Sequence, residues 1–470
     1  MTVLKTETMT MTSNHQWPIP AEFVRARTER MLTRIEGESP PGVWITRLTR
    51  EHVMRQVDRV LEQAAAGEPL PLLGLLFAAK DNIDVAGVPT TAGCALFAYT
   101  PHYSATVVQR LCDAGAIVVG KANLDQFATG LVGTRSPYGV VHNPHNPAYI
   151  SGGSSSGSAV ATALGLVDFS LGTDTAGSGR VPAAFCGLVG HKPSRGLLST
   201  TGVVKACRSL DCVSILARSS SQAADIFAVA RGFDPEDPYS RRESDLEQSP
   251  DCDPDLGFRF GVPAERDMEF FGNDDARQRF RRAVEKTIAL GGTPVVIDFT
   301  PFRDAAKLLY EGPWVAERYA AIKSFIESTP EALLPITREI IEPAAKLSAV
   351  AAFEGLYKLL TLRRATEWQW TQMDVLLVPT TGTIYTIDEV QADPIRTNTN
   401  LGYYTNFVNL LDLSALAVPN YQYSNGLPSG VTFVAQAGCD AMLLKIGRRF
   451  EDAGGRGLTA PLPPAMGAGS

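Results

Sequence analysis

Residues 151–193 read SGGSSSGSAVATALGLVDFSLGTDTAGSGRVPAAFCGLVGHKP. Two glycine clusters stand in this stretch. One is Gly152-Gly153-Ser154-Ser155-Ser156-Gly157-Ser158; the other is Gly172-Thr173-Asp174-Thr175-Ala176-Gly177-Ser178-Gly179-Arg180. A Gly/Ser-rich segment is ordinarily a flexible linker. That reading fits poorly, because the clusters are coupled to a small-residue helix pattern at 159–166 and an apolar strand at 169–172. A phosphate-binding loop would need Gly-Lys-Ser/Thr, which is missing. An oxyanion cradle remains. Successive N–H groups of Thr175, Ala176, Gly177 and Ser178 can converge on one anionic oxygen. Glycine lets the backbone come close to a substrate. Ser178 is then a natural nucleophile.

A nucleophilic serine needs a base. The six histidines (His15, His52, His102, His142, His145 and His191) stand in no recognisable Ser-His-Asp setting, and GxSxG is absent around Ser178. They read as structural. A buried lysine is the alternative, because desolvation lowers its pKa and keeps part of it neutral. Lys80 ends the apolar run 70–79 and is the preferred base; Lys121, in AIVVGKAN, is its competitor.

Outward from this segment, helix patterns cover 21–35, 50–66 and 105–114, the last with Ser104 as its cap. Ser156 or Ser158 suits the cap of the helix at 159–166. Apolar strands fit 116–120 and 188–190, and the run 70–79 reads as a strand delivering Lys80-Asp81-Asn82 at its end. Further strands fit 258–262, 294–297, 374–379 and 430–435. A helix fits 274–290 and more helices fill 303–370, while 234–257 reads as a surface loop. The alternation predicts an α/β fold: a central mixed, largely parallel β-sheet covered by helices on both faces. Residues 1–20 read as a tail and 21–453 as one domain with an N-terminal helical extension at 21–66. Residues 454–470 read as a Gly/Pro-rich tail or linker.

Hydrophobic residues make up 44% and charged residues 20% of the 470, which excludes a disordered chain. Lys and Arg number 43 against 50 Asp and Glu, a net charge of −7, which argues against nucleic-acid or anionic-membrane binding. The seven cysteines (Cys94, Cys112, Cys186, Cys207, Cys212, Cys252 and Cys439) are odd in number and form no CxxC. A disulfide framework is therefore not expected, and a reducing cytoplasm is. Cys207 and Cys212 lack a second close Cys or His pair, so they read as buried thiols and not as metal ligands. The N-terminus has no apolar signal core, and the run 70–79 is far short of the ~20 residues of a membrane helix.

The motifs LFAAKDNIDVAGVPTTAG (76–93), GGSSSGSAVA (152–161) and GTDTAGSGRVPAAFCGLVGHKP (172–193) together resemble the amidase signature family. The resemblance spans about 70–215 and 374–440. It implies a Ser-Ser-Lys triad: Ser178 as nucleophile, Lys80 as base, and Ser154, after a cis Gly-Ser bond, as the bridge between them. It implies Thr175, Ala176 and Gly177 as oxyanion donors, Asp174 and Arg180 as props of the loop, and neither metal nor cofactor.

QFATGLVGTRSPYGVVHNPHN (126–146), ACRSLDCVSILA (206–217) and LLYEGPWVAERYAAI (308–322) resemble the allophanate hydrolase branch. Tyr310 and Arg318 match the positions that hold its small anionic substrate, and a guanidinium can grip a carboxylate through two parallel bonds. Pro313 suits a helix start, which would place Arg318 one to two turns inside. The alternative is a surface pair of Arg318 with Glu317 or Glu311.

Cys186 departs from an asparagine common in the family, and His191 from a hydrophobic residue. Allophanate hydrolases usually carry a further C-terminal domain, which the resemblance does not cover here. The expected activity is hydrolysis of the terminal amide of allophanate, within urea or s-triazine nitrogen breakdown, by a homodimer binding neither nucleic acid nor membrane. The other readings are a different amidase, a glutaminase component of an aminoacyl-tRNA amidotransferase, or a non-catalytic scaffold.

Overall fold

A computed structural model describes residues 18–246 and 254–454. Its strands are β1 (Trp44–Arg47), β2 (Leu76–Lys80), β3 (Ile117–Ala122), β4 (Phe169–Asp174), β5 (Val189–Lys192), β6 (Cys212–Ala217), β7 (Phe258–Pro263), β8 (Gly292–Ile297), β9 (Val375–Pro379), β10 (Leu413–Pro419) and β11 (Gly430–Gln436). They form one 11-stranded sheet in the order β1-β3-β2-β4-β6-β5-β10-β11-β9-β7-β8. The α/β class and the mixed sheet are as expected, but "largely parallel" needs correction. Parallel pairing is confined to β3-β2-β4 and β9-β7-β8. The centre, from β4 through β6, β5, β10 and β11 to β9, is antiparallel, as is the edge pair β1–β3. The discrepancy comes from β6 and β10, two strands that sequence patterning passed over.

The strand alternation assigns the two faces. Val375 and Leu377 of β9 and Leu416 and Val418 of β10 belong to one apolar cluster. Leu376, Val378, Leu413 and Ala415 belong to another, with Phe302, Trp370 and Phe407 from helices. Side chains of a strand point alternately to opposite faces, so each face has its own helical cover. Phe77 of β2 stacks on Phe169 of β4 with ring centroids 5.2 Å apart. Burial of each ring is worth about 1.5–3 kcal/mol.

The segment 21–66 is not purely helical, since β1 joins the sheet edge between the helices Ala21–Glu38 and Arg50–Ala65. Ile19, placed in the expected tail at 1–20, is buried and its N–H donates to Leu73 O. Residues 1–17 and 455–470 lie outside the described residues, and so does Cys252. Ser104 does not cap the helix Thr106–Asp113; its hydroxyl accepts from Ala86 N instead. The small-residue helix starts earlier than expected, at Ser156–Ala163, without a side-chain cap. Its Gly157 permits close packing, because a Cβ there would lie 2.3 Å from Val43 O.

The six described cysteines are buried thiols. Among the described residues no helix is long and apolar enough to cross a membrane.

Candidate active site

Three backbone segments converge at the ends of β2 and β4. Lys80 is the last residue of β2 and fully buried. Its Nζ donates to Ser154 Oγ and to Thr173 Oγ1, each at 2.8 Å. Burial pushes the Lys80 amine down to about 7, against the opposing pull of Asp125, Asp174 and Asp211; Arg318 adds to the lowering. An amine so placed is substantially neutral near neutral pH and can accept a proton. The Gly153–Ser154 peptide is cis.

Ser178 follows β4 and is buried, and its carbonyl accepts from Ser155 N at 3.2 Å. Its Oγ donates to Gly130 O at 3.4 Å. Among the described residues no hydrogen bond joins Ser178 Oγ to Ser154, so Lys80 and Ser154 are linked while Ser178 is turned aside.

The loop between Asp174 and Arg180 is a tight cage. Arg180 Nε and Nη2 reach the two oxygens of Asp174, each at 2.9 Å, and both side chains are fully buried. Burial works to raise the Asp174 pKa, but Arg180 overrides it and holds the carboxyl below its ordinary value. Asp174 Oδ1 also accepts from Gly177 N at 2.8 Å. The Gly177 N–H is already committed, while among the described residues no acceptor within the chain faces the N–H groups of Thr175, Ala176 and Ser178. Gly177 is needed for its backbone, with φ +120° and Thr405 Oγ1 only 2.5 Å from where a Cβ would sit.

Lys121 lies elsewhere. It pairs in register with Ala79, so its side chain leaves the opposite sheet face from Lys80. There it meets Asp81 Oδ1 at 2.9 Å and Thr90 Oγ1 at 2.8 Å, buried and paired. His191 meets Asp440 at 3.1 Å in the core.

Arg318 is not a surface residue. It sits in the first turn of the helix Val315–Ser328, slightly nearer the start than expected, and is buried. Nη1 donates to Ala128 O and Thr129 Oγ1, and Nη2 to Tyr310 OH, all at 3.2 Å. Glu317, the alternative partner, instead accepts from Ser209 N at 2.7 Å. Ala128 and Thr129 directly precede Gly130, so the guanidinium and the Ser178 hydroxyl hold neighbouring residues of one loop. Ala176 packs in one apolar cluster with Leu309 and Trp314, which ties the cradle to the Tyr310 segment. A cavity of about 340 Å³ is walled by Tyr310, Arg135, Glu339 and Asn398 among others. Sequence reading missed Thr173, the second partner of Lys80, although it lies in the quoted GTDTAGSGR motif. It also missed Gly130 and Asp125.

The Amidase family profile matches residues 26–444. The chain is 45% identical over 412 residues to the urea amidolyase of Saccharomyces cerevisiae, covering 87% of this chain and 22% of that protein. It is 33% identical over 462 residues to a glutamyl-tRNA(Gln) amidotransferase subunit of a Synechococcus strain, covering 91% and 93%. The structure of Kluyveromyces lactis allophanate hydrolase superposes with a TM-score of 0.86 at 41% identity, over 92% of this chain and 70% of that one. The chain belongs to the amidase family. It spans about a fifth of the length of the urea amidolyase it matches.

Proposed function

We propose that the chain hydrolyses the terminal amide of allophanate and releases ammonia. The observation that carries the reading is the buried Arg318, held with Tyr310 against the loop that also holds Ser178. Allophanate is a small amide bearing a carboxylate, and a buried guanidinium beside the nucleophile favours that charge over a neutral amide.

In this reading the Ser178 hydroxyl leaves Gly130 O and donates to Ser154, whose own proton passes to neutral Lys80. Ser178 Oγ attacks the amide carbon, and the oxyanion sits on the free N–H groups of Thr175, Ala176 and Ser178. The relay returns the proton to the departing nitrogen, so ammonia leaves and the acyl group stays on Ser178. Water, deprotonated by the same relay, releases the dicarboxylated amine, which decays to carbon dioxide and a second ammonia. No metal or cofactor is called on.

Arg318→Gln is expected to lower kcat/KM for allophanate by about ten- to a hundredfold, the worth of one or two hydrogen bonds to a charged group. Malonamide, which is neutral, should lose only what loosening the Ala128–Thr129 loop costs, so its loss should be clearly the smaller. Steady-state ammonia assays on both substrates decide this. Equal losses on the two would count against an anion site at Arg318.

The near full-length match to an amidotransferase component favours, as second reading, a glutaminase working with partner chains. Glutamine turnover in the absence of allophanate turnover would select it.

The reading includes a cytoplasmic homodimer, supported by the buried thiols and by one exposed helix face. On Ala349–Trp370, Val350, Phe353, Tyr357 and Leu360 are 59–66% exposed, opposite the inward-facing Gly355 and Thr366. Their three-four-three spacing is the same read in either direction, so an antiparallel second copy would set Phe353 on Tyr357 and Val350 on Leu360. Phe353→Glu combined with Tyr357→Glu should shift the sedimentation coefficient to that of a monomer. An unchanged coefficient would place any dimer contact elsewhere.

A further inference from the structure

Asp125 belongs to no step above, yet its carboxylate lies between the two halves of the site. Oδ2 accepts from Val132 N at 3.2 Å and Gly133 N at 3.0 Å, and Oδ1 from Arg135 N at 2.9 Å. Its backbone N–H donates to Ser154 O at 3.2 Å, and its carbonyl accepts from Ala128 N at 2.9 Å. The loop folded around it carries Phe127 and Ala128 in the left-handed region, at φ 50° and 53°. Such conformations persist only where surrounding bonds over-determine them.

The carboxylate also sets two glycines. A Cβ on Gly153 would stand 2.2 Å from Asp125 Oδ2, and one on Gly130 2.7 Å from it. Gly153 precedes Ser154; Gly130 holds the Ser178 hydroxyl. One carboxylate thus abuts the residues that place both serines.

Charges from several elements act on Lys80, among them Asp125 from the loop after β3, Asp174 at the end of β4, Asp211 before β6, and Arg318 from its helix. Asp174 is neutralised by Arg180, and Asp211 is engaged by Thr175 Oγ1 and the N–H of Ala206 and Cys207. Asp125 takes only backbone donors; Arg135 attracts it electrostatically but sends its guanidinium to Thr129 O and Pro394 O. Of the three carboxylates it acts on Lys80 most strongly.

We propose that Asp125 is a positioning residue of the reaction: it fixes the Ser154 turn and the Gly130 carbonyl as one unit and supplies a negative charge beside Lys80. The inference rests on Lys80 acting as base, as proposed above.

The test is the pH profile of kcat/KM for allophanate in Asp125→Asn, beside wild type, Ser178→Ala and Asn398→Ala. Asn398 Oδ1 accepts from Leu131 N at 2.8 Å, so its loss loosens the same loop without changing its charge. Asp125→Asn should lose activity about tenfold or more through misplaced serines. Its acid limb should move down by about half a pH unit or more, since removing a negative charge favours the neutral amine. Asn398→Ala should lose rate with its limb unmoved. An Asp125→Asn limb at the wild-type position overturns the proposal, reducing Asp125 to a loop support. If Asp125→Asn does not fold by thermal melting, Asp125→Glu decides: rate loss with the wild-type limb supports the proposal, and a moved limb or an unchanged rate overturns it. Activity persisting in Ser178→Ala would instead sink the underlying triad reading.

Discussion

Ser178→Ala is expected to remove ammonia release from allophanate almost completely, by about 10⁴- to 10⁶-fold in kcat. The size follows from the chemistry. Without Oγ no acyl-enzyme forms, and the free N–H donors of the cradle can stabilise only a direct attack by water. The side chain is small and buried, and it makes one long hydrogen bond, to Gly130 O. Its truncation therefore costs the fold little, and the melting temperature should stay close to wild type. Intact-protein mass spectrometry during turnover gives a second readout: a covalent adduct on wild type and none on the variant. A variant that kept even a tenth of the wild-type rate would remove Ser178 from the nucleophile's place.

Lys80→Met carries the second large effect, a loss of about 10³- to 10⁴-fold, at the upper end of what a positioned base contributes. Methionine is of similar length and suits the buried site, so the sheet should hold. The wild-type pH profile tests the same point without mutation. Only the neutral amine can accept a proton, and burial brings the Lys80 pKa down to about 7. Activity should be full above that pH and fall about tenfold per pH unit below it. A rate that stayed flat down to pH 5 would mean that Lys80 is not the base. An acid limb near 10 would mean that the amine is solvated in solution.

Much of the site was legible because its residues stand in a contiguous, unusual segment. Lys80 was singled out by the apolar run before it and Ser178 by its glycine-rich setting, while Ser154, Asp174 and Arg180 came from the resemblance; Lys80 meets Ser154, and Arg180 meets Asp174 in the loop before Ser178. The preference for Lys80 over Lys121 could not be settled from the chain, since both follow an apolar run. Pairing register separates them, by sending their side chains to opposite faces of the sheet. Nothing in GTDTAGSGR says that Asp174 turns back to take the Gly177 N–H. Arg318 would have passed for a surface residue without the resemblance, as its burial depends on loops almost 200 positions away. Asp125 escaped because its role lies in contacts with glycines, which leave no pattern in sequence. In the fold, β6 and β10 were passed over, and with them the antiparallel centre of the sheet.

The most direct measurement is ammonia release by the purified wild-type chain from allophanate, beside malonamide, biuret and glutamine at equal concentration. Release from allophanate is expected with kcat/KM at least about a hundredfold above each of the others, the discrimination a buried charge-assisted site supports. Equal or greater release from glutamine or malonamide, with none from allophanate, would contradict the assignment.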